Sequence, residues 1–358
     1  MQKLDWYIIK KFLGTFFFTL AIILVIVIIF DISEKIDDFL EHELSINTII
    51  FDYYLNFMPY FGNLFSPLFI FISVIFFTSK MANDTEIIAI LNSGMSFKRL
   101  LKPFIVSAIL LAIISFLLGS FIIPPSNKKR IDFENKYIIN KKYFNAKDIH
   151  MQIEPGQYIY MQSFNSTRNI GYKFTLENFK HGTLQSKLKS NYIQFDTITN
   201  KWVIHNYEIR EFLYDKEIIS VGKEIDTILN LYPSDFTKRN SLVETMNLFE
   251  LNDYITQEKL KGSEQTVYHE IEKYKRTAFP FASIILTLIA VAIASRKIRG
   301  GIGMHLGIGI LIAFTYILFM QISTTFATNS NLTPLIAVWI PNISYIILAA
   351  ILLYKAPK

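Results

Sequence analysis

Six predominantly apolar stretches alternate with polar segments along the chain: Phe12–Phe30, Phe57–Thr78, Pro103–Ile123, Thr277–Ala294, Gly303–Thr325 and Thr333–Tyr354. Each is close to the roughly 20 residues that a helix needs to cross about 30 Å of hydrocarbon. None contains Asp, Glu, Lys or Arg. The pattern predicts six transmembrane helices, three before and three after a long polar segment. Pro67 and Pro341 fall inside spans, where neighbouring helices must satisfy the carbonyls that proline leaves without a donor.

In the polar segment, Pro124 to Arg276, the periodicity changes. Ser126–Phe144 reads as a helix leading away from the spans. From Met151 short β-branched and aromatic runs follow: Gln157–Met161, Tyr172–Leu176, Tyr192–Phe195, Trp202–Tyr207 and Glu217–Val221. Turn residues separate them at Pro155-Gly156, Asn169–Gly171, His181-Gly182 and Thr199-Asn200. Strands at this spacing predict an all-β sandwich or barrel. Helical spacing returns at Leu248, Leu251 and Ile255, breaks at Gly262-Ser263, and resumes through Val267–Arg276 into the fourth span. The predicted fold class is therefore a membrane α-helical protein with six transmembrane helices and an all-β domain inserted between helices 3 and 4. The divisions are 1–123, 124–276 and 277–358.

Charge orients the pattern. Short connections on one side carry Lys3, Lys10 and Lys11, then Lys80, Lys98, Arg99 and Lys102, then Arg296, Lys297 and Arg299, and finally Lys355 and Lys358. The opposite side holds the acidic loop Asp31–Asp52, the uncharged Ala327–Asn331 and the inserted domain. Basic short loops stay cytoplasmic, so both termini are expected inside and the large domain outside. Lys273, Lys275 and Arg276 lie on the outer side, where long translocated domains are largely exempt from the rule. The composition agrees: 51% of residues are hydrophobic and 18% charged, against about 25% charged in soluble domains. Without cysteine, no disulfide framework or thiolate metal site is available. The first apolar run is too long for a cleaved signal peptide and no small-residue cleavage site follows it.

The most informative short segment joins spans two and three, Asn83–Gly94. Asn83 has the character of an N-cap with Glu86 three residues on, as in a capping box. Gly94 suits the left-handed residue past the helix end. Ile87, Ile90 and Leu91 share one helical face. Such a helix can lie on the membrane, pack on its own bundle or enter a partner's groove, and Glu86 can be a cap or the charge that a partner's arginine meets.

Several chemistries are excluded. No Gly-x-x-x-x-Gly-Lys-Ser/Thr loop is present to cradle phosphates, and His269-Glu270 lacks the second histidine of a zinc-protease helix. No acid lies within a span, which argues against an ion-coupled transporter. His305 reads as a polar helix-end residue. No catalytic residue, metal, cofactor or nucleic-acid partner is expected.

The chain resembles the LptF/LptG permease family over nearly its whole length. The resemblance rests on Leu4-Asp5-x-Tyr7-Ile8, on Ser79–Gly94 with its Glu-Ile-Ile-Ala-x-x-x-x-Gly core, on Ala278-Phe279-Pro280 and on Arg299-Gly300-Gly301. It implies a non-catalytic permease subunit in the bacterial inner membrane, paired with a second LptF/LptG-like permease and an LptB-like cytoplasmic ATPase dimer. It implies that Asn83–Gly94 docks on the ATPase, with Asn83, Glu86, Ile87, Ile90, Leu91 and Gly94 as the coupling residues. It further implies a β-jellyroll outer domain that passes lipopolysaccharide to an LptC/LptA-like periplasmic jellyroll protein. Head-group contacts are expected from basic residues at the outer rim: Lys35, Lys273, Lys275 and Arg276. Around Lys35 the chain departs from the family, because Glu34, Asp37 and Asp38 make the region acidic, and Lys35 can instead pair with Glu34 or Asp31. The other readings are a membrane sensor or scaffold whose outer β-domain binds an envelope protein, and a stand-alone carrier.

Overall fold

The computed structural model describes residues 2–138, 145–213, 216–233, 240–260, 263, 265–297, 300–329 and 332–356. Gly262, Arg299, Asn331 and Lys358, named above, lie outside them. The described helices are α1 Lys3–Glu41, α2 Ile46–Asn83, α3 Glu86–Asn92, α4 Phe97–Ile138, α5 Leu248–Leu260, α6 Thr266–Ala294, α7 Gly301–Asn329 and α8 Pro334–Tyr354. The chain forms two compact units. One comprises Met1–Ile138, Glu244–Phe249 and Val267–Lys358; the other comprises Ile139–Val243 and Glu250–Thr266.

The first unit is the helical bundle. Six of its helices are long and apolar enough to cross a membrane, and α1, α2 and α4 run for 39, 38 and 42 residues. They overrun the sequence-predicted spans because polar residues at helix ends do not stop a helix; they place its ends in water. The helix expected over Ser126–Phe144 is not separate as far as Ile138, to which α4 continues without a break; positions 139–144 lie outside the described residues. Phe12, Phe71, Val74, Phe104, Leu286 and Ala313 belong to one buried core. Phe18, Phe30 and Leu311 point outward and are exposed, as side chains facing lipid should be.

Without a hydrophobic drive between helices in lipid, close packing and interhelical hydrogen bonds hold the bundle together. A Cβ on Gly309 would run into the Ile75 side chain, so glycine lets α7 approach α2 closely. Pro341 leaves the Ala337 carbonyl without its helical donor. Ser323 of α7 fills the vacancy, its Oγ donating to that carbonyl at 2.6 Å. Asn342, fully buried, ties three helices: its Nδ2 donates to the Ala278 carbonyl at 3.0 Å, and its Oδ1 accepts from the Tyr316 hydroxyl at 2.9 Å. We expect Ser323→Ala to lower the bundle's stability by about 1–2 kcal/mol, the cost of an orphaned buried acceptor. Ser323→Thr, which keeps the hydroxyl, should recover most of the loss in thermal unfolding in detergent.

The second unit holds a six-stranded antiparallel sheet in the order β1 to β6: Asn145–Glu154, Gln157–Asn165, Ile170–Lys180, Thr183–Asp196, Lys201–Leu213 and Lys216–Thr227. The five runs read from the sequence are segments of β2 to β6. Consecutive strands pair throughout, so the all-β domain is a meander in one sheet. Its core is built on Met161, Phe164, Phe174, Ile193, Trp202 and Ile204. The Trp202 indole donates to the Leu231 carbonyl at 2.8 Å, satisfying the one polar atom its burial would otherwise strand.

Candidate functional site

At the end of the bundle that carries the N-terminus, three chain segments meet. Asp5 accepts the Gln2 backbone N–H at 2.8 Å, which closes the start of α1. The same carboxylate takes both Arg99 nitrogens, Nη1 at 2.7 Å and Nη2 at 2.8 Å. Arg99 lies in the first turn of α4, itself capped by the Ser96 hydroxyl. A two-pronged guanidinium–carboxylate pair fixes direction as well as distance, so the starts of α1 and α4 are held in register. Nearby, His305 is buried with its Nδ1 2.6 Å from the Ser79 hydroxyl. It is an interhelical contact between α7 and α2, more enclosed than a helix-end residue.

Between α2 and α4 sits α3. The capping box expected at Asn83 does not form, because α2 runs through Asn83 and the break falls at Thr85. Thr85 takes a left-handed φ of 61° and precedes Glu86, the first residue of α3. Gly94 has a φ of 87° beyond the helix end, as its lack of a Cβ predicts. Ile87 is buried in the bundle core, and Ile90 and Leu91 pack partly against it. The apolar face read from the sequence therefore anchors α3 to its own bundle. Glu86 is half-buried and accepts from the Tyr7 hydroxyl at 3.3 Å. The exposed residues of α3 are Ile88, Ala89 and Asn92, with Ile88 47% exposed. Sequence reasoning missed Ile88, since in an Ile-Ile pair either residue can be the inward one.

At the opposite end of the bundle, Lys35 is saturated. Its ammonium lies 2.7 Å from Asp31, 3.7 Å from Glu134 and against the Tyr53 hydroxyl. Arg130 also meets Glu134 at 3.0 Å, and Tyr54 donates to Asp31 at 3.0 Å. Of the two partners considered, Asp31 is the one found, one helical turn before Lys35; Glu134, about 100 positions away in sequence, had no local trace.

Close by, a cavity of about 350 Å³ opens among α2, α4, α6 and α7. Lys275 and Arg276 line it together with Glu244 and Glu272. Arg276 is buried and its Nη1 donates to the Met246 carbonyl at 2.8 Å. Burial, and then the like charge of Glu272, pushes the Glu244 carboxyl above its ordinary value. Lys273 does not line the cavity; its ammonium is 5.7 Å from the Tyr274 ring. Among the described residues, no group of three or more His, Cys, Asp or Glu is placed to hold a metal ion.

A family sequence model described as "Lipopolysaccharide export system permease LptF/LptG" matches residues 6–355, nearly the whole chain. No curated protein shows a significant match.

Proposed function

Because this chain belongs to the LptF/LptG family of lipopolysaccharide export permeases, we propose that it is one transmembrane subunit of an ABC-type exporter, working beside a second LptF/LptG-like permease. It takes lipopolysaccharide from the outer leaflet of the inner membrane and passes it to a periplasmic bridge of LptC/LptA-like jellyroll proteins. A separate LptB-like ATPase dimer drives the step. Both termini and α3 face the cytoplasm in this reading, and the sheet domain faces the periplasm. Lifting a lipid with several acyl chains out of the bilayer costs about 25 cal/mol for each Å² of apolar surface bared to water, which calls for an external energy source.

The observation that carries this reading is the short helix Glu86–Asn92, anchored to the bundle by Ile87 and presenting Ile88 outward. A helix so placed receives a push from a partner and passes it on. Glu86 stands between the two roles read for it: Tyr7 holds it on one side, and its remaining acceptor capacity can meet a partner's arginine. Lys35, Lys273, Lys275 and Arg276 form the basic rim of the lipid path, with Lys35 the weakest contributor because Asp31 and Glu134 already balance it.

The test is co-purification. A cytoplasmic ATPase should travel with the permease and be lost on Glu86→Arg or on shortening Asn83–Gly94. Tyr7→Phe, which frees Glu86 without removing its charge, should keep the ATPase. A permease that purifies alone, with lipopolysaccharide export unchanged in these variants, would sink the proposal.

A further inference from the structure

The cavity among α2, α4, α6 and α7 combines features that point to a particular ligand. Its charged wall is balanced, with Glu244 and Glu272 set against Lys275 and Arg276. A purely anionic head group would be repelled by the first pair, and a purely cationic one by the second. A head carrying both signs satisfies both.

An independent feature supplies an acceptor-seeking group. Asn127 lines the cavity and has no exposed surface. Its Oδ1 accepts from Arg130 Nε at 3.3 Å, while its Nδ2 has no hydrogen-bond partner among the described residues. A buried amide N–H without an acceptor is costly, and a phosphate oxygen in the cavity would take it. The Tyr268 ring also lines the cavity, and an aromatic face attracts a cationic nitrogen; the Tyr60 ring beside it is already faced by the Arg130 guanidinium, 5.1 Å from its centroid.

Much of the remaining wall is apolar, including Leu64, Phe279, Ile317 and Met320, with Asn63, Ser115 and Gln321 among its polar residues. Leu64 is 45% and Ile317 49% exposed on the outside of the bundle. The cavity thus reaches the lipid-facing surface, where an acyl chain can leave it. A volume of about 350 Å³ is at the lower end of small-molecule sites, roughly 300–1,000 Å³. It holds a head group and leaves the chains in the bilayer.

We infer that this cavity binds the head group of a zwitterionic aminophospholipid of the phosphatidylethanolamine class, as a resident lipid distinct from the one exported. The phosphate sits toward Lys275, Arg276 and the Asn127 amide. The ammonium sits toward Glu244 and Glu272. A primary ammonium suits two carboxylates better than choline does, because it donates hydrogen bonds and choline cannot. The inference rests on the reading that α6 turns its basic residues toward lipid head groups, and it assigns two of them to a lipid that stays.

The experiment uses the full chain in nanodiscs containing equal amounts of phosphatidylethanolamine, phosphatidylglycerol and phosphatidylcholine, with retained lipid counted by native mass spectrometry. Phosphatidylethanolamine should be retained at least tenfold over each of the others. Glu272→Gln leaves the wall net positive, so the preference should swing toward phosphatidylglycerol. That is a gain of binding, which an unfolded variant cannot mimic. Retention without preference, or no retained lipid, would overturn the inference and leave the export reading untouched. A photo-crosslinker at Gln321, on the cavity wall, separates the remaining case. In cells it should capture phosphatidylethanolamine; capture of lipid A would overturn the resident-lipid assignment and make the cavity part of the export path.

Discussion

Ile88→Glu is expected to strip the ATPase from the purified permease while leaving the bundle folded, and Ile87→Ala is expected to do the reverse. The two residues are neighbours on α3 with opposite surroundings, since Ile87 is 2% exposed and Ile88 47%. Ile88 is the large apolar side chain that α3 exposes, the kind of anchor that a partner's pocket would bury. Such anchors contribute about 2 kcal/mol or more at an interface, which is roughly 30-fold in affinity. Burying an unpaired carboxylate in the same pocket adds a further penalty. Ile87→Ala instead opens a void beneath α3, at about 2–5 kcal/mol of bundle stability in the soluble-protein scale. Thermal unfolding in detergent, read beside ATPase pull-down, separates the two effects. If Ile88→Glu keeps the ATPase at wild-type stoichiometry, α3 is packing and nothing more.

The second large effect is expected at the edge of the sheet. β1 and β6 are its outer strands. β1 carries a register irregularity between Gln152 and Glu154 and a positive φ at Asp148, both of which discourage pairing. β6 shows no register shift against β5 along its length, and it exposes Ile218, Ile219 and Val221 in succession. Natural sheets usually guard such edges with charge, proline or bulges; in β6 the charges stand toward the two ends, Lys216-Glu217 and Lys223–Asp226, and the apolar, regular stretch between them suits a strand supplied by another protein. A proline scan along β6 should split by parity. At positions whose N–H donates to β5, proline should unfold the sheet. At the alternate positions it should leave the sheet folded and abolish cross-linking to a periplasmic jellyroll partner, with lipopolysaccharide export falling at least tenfold. Export that survives every folded variant would move the hand-off away from β6.

How far the sequence reached depended on the distance over which each feature is encoded. The six spans were legible because roughly 20 apolar residues without a charge have few other uses. The strands β2 to β6 were legible from alternation and turn residues, and Gly94 from the conformation that helix ends demand. Asn83 was misread because a cap residue and a helix-interior residue look alike until the break in the backbone is located, and here Thr85 takes it. The face of α3 was half legible: Ile87, Ile90 and Leu91 do share a side, but that side belongs to the bundle. Contacts such as Asp5 with Arg99, Lys35 with Glu134, and Glu244 beside Lys275 join residues with no periodic relation. Only the folded chain brings them together.

The length of α1 has a mechanical consequence. Its 39 residues make a rod of about 58 Å at 1.5 Å per residue, nearly twice the roughly 30 Å of hydrocarbon it would cross. Ile8, Phe12 and Phe16, near its start, are set in the core, and Asp5 is gripped by Arg99. Tyr7, in the same turn, touches the helix proposed to receive the ATPase stroke. The far end of α1 is tied to α2 and α4 through Asp31, Lys35 and the buried Phe39, so a tilt of about 10° pivoted at the N-terminal end would carry these joined helix ends together through about 10 Å. A small motor displacement on one side of the membrane would thus become a movement on the other side as wide as a packed helix.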